Sequence, residues 1–141
     1  MYAKISSEPP VLSDKIKVLG FPLISLLGEN LSVTSGEVTS LSGFKGDFSQ
    51  FTISAPIQPG NSGGPIINLK NEVIGLVVST LDNVQLANEQ GFASQNVNFG
   101  IRVGLLRNIL SGYGINPTNS TNPKDIDYQQ ITKLLSCYKW K

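Results

Sequence analysis

From residue 15 to residue 102 the chain alternates short apolar runs with clusters of Gly, Asn, Asp and Pro, a rhythm of strands rather than of helices. Six runs stand out: "KIKVLG" (15–20), "LSVTSGEVTSL" (31–41), "SQFTISA" (49–55), "GPIINL" (64–69), "EVIGLVVST" (72–80) and "NVNFGIR" (96–102). Val, Ile, Thr and Phe dominate them, and these side chains suit a pleated, half-buried surface. Six such runs joined by turn residues predict an all-β domain built as one small six-stranded antiparallel barrel.

The connections add detail. "KN" at 70–71 reads as a two-residue hairpin turn with Asn71 in the left-handed region. Within the second run Leu31, Val33 and Val38 alternate with polar residues, and Ser35-Gly36 interrupts them as a bulge or sharp bend would. The polar stretch 83–95, "NVQLANEQGFASQ", predicts a long surface loop. Helical spacing begins only late. In 103–114 it places Val103, Leu105, Leu106, Ile109 and Leu110 on one side, before Gly112 and Gly114. A Pro/Asn/Ser/Thr-rich linker follows, and then Ile131, Leu134, Leu135 and Tyr138 form the apolar stripe of a second helix. Asp125 and Asp127 near its start and Lys139 and Lys141 at its end suit the helix dipole. The predicted organisation is an extension (1–12), a barrel with a short helix (13–112), a linker (113–124) and an amphipathic C-terminal helix (125–141).

Composition narrows the partners. At 141 residues the chain is long enough for one domain with a real core, without a disulfide or a metal as staple. Eleven Lys and Arg against ten Asp and Glu leave a net charge of +1, so no basic field invites nucleic acid or an anionic membrane, and neither partner is expected. The single cysteine, Cys137, excludes an intrachain disulfide framework and a Cys-pair zinc site; no metal or cofactor is expected. The N-terminus has neither a charged-then-apolar signal region nor a cleavage site, and the compartment stays open.

"QPGNSGGPI", residues 58–66, sets Ser62 among glycines, an asparagine and two prolines, and reads either as a tight turn or as a nucleophile on a loop shaped to expose it. Gly60-x-Ser62-x-Gly64 has the spacing of the α/β-hydrolase elbow, but that elbow needs a helix after the serine and a histidine downstream. Here a predicted hairpin follows, and the chain has no histidine at all. In the chymotrypsin order His and Asp precede the serine, so a chain holding only the later part would contain the nucleophile without its partners.

The stretch "SAPIQPGNSGGPIINLKNEVIGLVVS" resembles the nucleophile region of chymotrypsin-fold serine proteases, the HtrA-like bacterial type in particular. "VLGFP", "LSVTSGEVTSL" and "NVNFGI" stand around it in the order of that family's second barrel, and the similarity runs from about Ser13 to Leu110. The resemblance implies a Greek-key barrel, the C-terminal half of a trypsin-like endopeptidase. It assigns Ser62 as nucleophile, with the backbone N–H groups of Gly60 and Ser62 as oxyanion hole. It makes Ala55, Pro56, Ile57 and Gln58, with Val97, Asn98 and Phe99, the walls of the primary specificity pocket and the backbone that pairs an extended peptide. Neither segment offers a charge, so the pocket is expected to take a small or medium apolar side chain. Asn61 occupies the place where zymogen-type relatives carry an aspartate for a freed N-terminus, and its amide makes no such ion pair. Arg102 stands where the family usually has proline, and no PDZ-like segment follows Leu110.

Without a histidine the hydroxyl lacks its usual base, and loss of a triad member costs roughly 10⁶-fold in turnover. Lys45 and Lys70 are the lysines considered as a substitute, and nothing in the sequence ties either to Ser62. Two expectations follow. Either the chain is the inert C-terminal half of a serine endopeptidase whose His and Asp lie on a missing N-terminal barrel, or it is a pseudoprotease-type module that binds peptides without catalysis. Such a barrel would expose an apolar face, so a homo-oligomer or a C-terminal helix folded over that face is also expected.

Overall fold

The computed structural model describes residues 4–22, 30–78 and 97–114. The predicted 83–95 loop, the linker beyond residue 114 and the 125–141 helix with Cys137 lie outside the described residues. Among the described residues six strands, a short 3-10 helix (Phe44–Gly46) and one α-helix form: β1 (Lys15–Gly20), β2 (Ser32–Ser40), β3 (Gln50–Ile53), β4 (Pro65–Asn68), β5 (Val73–Val77), β6 (Asn98–Arg102) and α1 (Val103–Gly112). Each strand falls inside one of the six apolar runs. They close into an antiparallel barrel in the order β1-β2-β3-β6-β5-β4, so every strand is paired on both sides.

Period-two alternation decides what fills the barrel. Ile16, Val18, Val38, Phe51, Ile53, Ala55, Ile66, Ile74 and Val77 form the interior cluster. Leu19, Ile67 and Val73 form a second cluster, which explains why the β1 and β4 runs read as continuous apolar stretches rather than as clean alternation. Phe51 is fully buried. Its ring occupies the space that two glycines leave: a Cβ at Gly75 would stand 2.6 Å from Phe51 Cε1, and one at Gly100 would stand 2.8 Å from Cζ.

Two local expectations need correction. The β4–β5 connection is longer than "KN": Asn68 N–H donates to Glu72 O (3.0 Å) and Asn71 N–H to Asn68 O (3.0 Å). The turn thus spans residues 69–71, held by Asn68 Oδ1, which accepts from the N–H groups of Lys70 and Glu72. Asn71 does adopt the left-handed region, at φ 58°. Ser35-Gly36 is not a bulge, because both residues keep register with Lys17 and Ile16. The irregularity falls instead between Val38 and Ser40 on the β3 side.

The helical stripe is also less buried than its spacing predicts. Val103 is buried, Leu106 and Leu110 are half-buried, and Leu105 and Ile109 are 42% and 51% exposed. A seam of hydrogen bonds joins the helix to the residues before β1. Val73 N–H donates to Lys4 O (2.8 Å) and Ser6 N–H to Val73 O (2.9 Å). Arg107 on α1 then donates from Nη2 to Ile5 O (2.7 Å) and from Nε to Ser6 O (3.1 Å).

Candidate active site

One end of the barrel gathers the pieces around Ser62. β1 ends there at Gly20, β2 begins opposite it at Ser32, and β3 ends at Ile53 across from Asn98 of β6. β4 begins there at Pro65, opposite the last residues of β5. The loop 54–64 therefore leaves the sheet and re-enters it on the same rim.

Its conformation follows from its residues. Gly60 sits at φ 101° and Gly63 at φ 79°, values that L side chains rarely adopt. Asn61 N–H donates to Gln58 O (3.0 Å), and Gly64 N–H donates to Asn61 O (2.9 Å), so one tight turn precedes Ser62 and a second, 61–64, carries it. Gly63 N–H donates to Val77 O and Val77 N–H to Gly64 O, both at 2.9 Å, which locks the return leg to β5. The result alternates along the chain: Asn61 is buried and Ser62 is exposed. Among the described residues no acceptor engages the N–H of Gly60 or of Ser62. Asn61 Oδ1 is buried without a hydrogen-bond partner among the described residues.

The residues expected as pocket walls divide. Pro56 and Gln58 are exposed, Ile57 is half-buried against the interior cluster, and Ala55 is fully buried inside it. Val97 is exposed at the entry to β6, whereas Asn98 and Phe99 are buried. Asn98 pairs with Ile53 and Gly100 with Phe51, so Asn98 shares the interior face with those core residues. Within β6, Asn98–Ile101 pair with β3 and Gly100–Arg102 with β5, and Val78 N–H donates to Phe99 O (2.9 Å).

Neither lysine considered as a substitute base lies near the serine. The run 54–65 contains no Asp, Glu, Lys, Arg or Cys. Lys70 occupies the β4–β5 turn, and β4 carries the chain roughly 13 Å from the rim before that turn. Lys45 lies in the β2–β3 connection, at the same far end, with Nζ 5.2 Å from the Phe44 ring centroid. Arg102, at the proline position of the family, uses what proline lacks: its N–H donates to Ser49 O (3.0 Å), and its guanidinium donates to Leu41 O.

Sequence reading missed the residues that brace the loop from neighbouring strands. A Cβ at Gly20 would stand 2.9 Å from Asn61 Cγ, and one at Gly64 would stand 2.9 Å from Asn61 O. One at Gly36 would stand 2.7 Å from Ala55 Cα. The available signal was glycine at a strand end or interior, which marks close backbone approach.

A closed six-stranded antiparallel barrel followed by a helix is the barrel type of the chymotrypsin-like fold. The trypsin-like peptidase domain family matches residues 2–76, more than half of the 141-residue chain, and the chain belongs to that family. It is 38% identical over 97% of its length to protein y4bJ of Sinorhizobium fredii, of which it covers 22%. It is 32% identical over 74% of its length to chloroplastic Protease Do-like 2 of Arabidopsis thaliana, of which it covers 16%. The chain thus spans about a fifth of the length of these relatives. Similar solved folds include the inactive Ser343Ala form of Rv3671c from M. tuberculosis, with TM-score 0.59 and 24% identity, covering 85% of this chain and 56% of that one. The serine endoprotease from Yersinia pestis also has TM-score 0.59, with 22% identity, covering 78% of this chain and 34% of that one.

Proposed function

We propose that Ser62 is the nucleophile of a serine endopeptidase, that the N–H groups of Gly60 and Ser62 bind the oxyanion, and that the base is supplied from outside this chain. The observation that carries this reading is the loop itself: Ser62 exposed between glycines at φ 101° and 79°, with the two N–H groups unengaged among the described residues. A preorganised donor of that kind contributes on the order of 3 kcal/mol to an acyl-transfer transition state. Attack by Ser62 Oγ on a peptide carbonyl forms the C–O bond of a tetrahedral adduct and releases the hydroxyl proton. That proton needs an acceptor, and the chain has no histidine. An upstream barrel carrying His and Asp supplies it in this reading, which agrees with the small share of its protease relatives that the chain spans. The substrate is a peptide presented as an extended strand, with a small or medium apolar side chain at the cleavage position.

A serine-reactive fluorophosphonate tests this. The chain alone is expected not to label, whereas the full-length gene product is expected to label at Ser62 and to lose labelling in Ser62→Ala. Labelling of the isolated chain would overturn the external-base reading. Failure of the full-length product to label would leave the alternative, a peptide-binding module without catalysis, for which the missing histidine is the supporting observation.

A further inference from the structure

The segment that delivers the chain to Ser62 has left the sheet, because β3 ends at Ile53. Its carbonyls must find donors elsewhere or go unpaired at a buried rim. Two are held by side chains from different strands. Asn98 Nδ2 donates to Ala55 O at 2.7 Å, inside the protein. Thr34 Oγ1, on β2, donates to Pro56 O at 2.9 Å. Asn98 is 3% exposed and shares the barrel interior with Ile53, an expensive place for an amide unless its bond is needed. Gly36 completes the clamp from below, since any side chain there would collide with Ala55.

We infer that Asn98, with Thr34, is a positioning residue of the nucleophile loop: the two side chains pin the consecutive carbonyls of Ala55 and Pro56 and so set where residues 58–64 stand. Asn98 therefore acts from inside the barrel, through the Ala55 carbonyl, rather than as a wall that meets the substrate. The inference rests on the reading of the 58–64 loop as the functional one. Its test uses no reaction at Ser62, so the two can fail separately.

The test is amide hydrogen exchange, followed by NMR on the 141-residue chain. Asn98→Leu keeps the size and removes the donor. The expected result is that the N–H groups of Asn61, Gly63 and Gly64 exchange at least tenfold faster, while the β1–β2 ladder changes less than twofold. Thr34→Val, at a half-buried surface position, is expected to give the same local pattern more weakly, and it carries the test if Asn98→Leu does not fold. A uniform acceleration across the whole barrel would mean that the side chains serve only global stability, and would overturn the inference. Unchanged exchange in the loop would overturn it as well.

Discussion

The buried side chain of Asn61 lies directly against Gly20, at the point where β1 ends and the 58–64 loop turns back into the barrel. A Cβ at Gly20 would stand 2.9 Å from Asn61 Cγ and 3.1 Å from its Cα. Asn61 is only 2% exposed and has nowhere to retreat. Gly20→Ala is therefore expected to cost about 1–3 kcal/mol, the usual range for overpacking a tight site. Gly104, on α1 with nothing within 4 Å, is the control, where alanine is expected to stabilise by about 0.5 kcal/mol. Urea unfolding of both variants checks the contrast.

Asn61 also supplies a pH test. Its Oδ1 is buried and has no donor among the described residues. Asn61→Asp places a carboxylate there, and burial raises its folded-state pKa above the unfolded value. Below the unfolded pKa the acid is neutral in both states and the penalty is small. As pH rises the penalty grows, to about 2–4 kcal/mol near neutrality. Unfolding at about pH 4 and pH 7 measures it, and a variant more stable at neutral pH than in acid, relative to wild type, would contradict the burial argument.

Glu72 titrates in the opposite sense. Its carboxylate is held below the usual range, first by the hydrogen bond from Lys4 at 2.5 Å and also by Asn68, against a burial penalty that raises it. A depressed folded pKa gives stability that is present above the unfolded value and is lost as pH falls through the folded one. Glu72→Gln is expected to cost up to about 1 kcal/mol at pH 7, and the loss is expected to shrink progressively as pH falls below the ordinary glutamate range of about 4.3. A loss that stays the same as pH falls would point to packing rather than charge.

Phe51 and Phe48 test the core. Phe51 is fully buried over Gly75 and Gly100, whereas Phe48 is 81% exposed. Phe51→Ala is expected to lose about 3–5 kcal/mol and Phe48→Ala less than about 0.5. Thermal melting separates the two.

The strands were legible because β-rich runs and turn residues carry their own signal, and Asn71 was legible because few residues tolerate its left-handed backbone. Ser62 was legible because only a loop that needs unusual dihedrals places glycine on both sides of it. The burial of Ala55 and Asn98 was not: strand register turns Asn98 inward with Ile53, and Ala55 joins the interior cluster. The exposure of Leu105 and Ile109 was equally hidden, since helical spacing states which residues share a side and not what that side meets.

Sequence alone determined the all-β composition, the position of the flexible-backbone turns around Ser62, and the absence of a histidine to serve it, because these depend on residue type and local spacing. Tertiary structure decided which carbonyls the side chains of Asn98 and Thr34 hold, why Gly20 and Gly36 carry no side chain, and that β6 pairs with both β3 and β5. Those facts depend on barrel closure, which brings residues 20, 34, 55, 61 and 98 to one rim although up to 78 positions separate them along the chain.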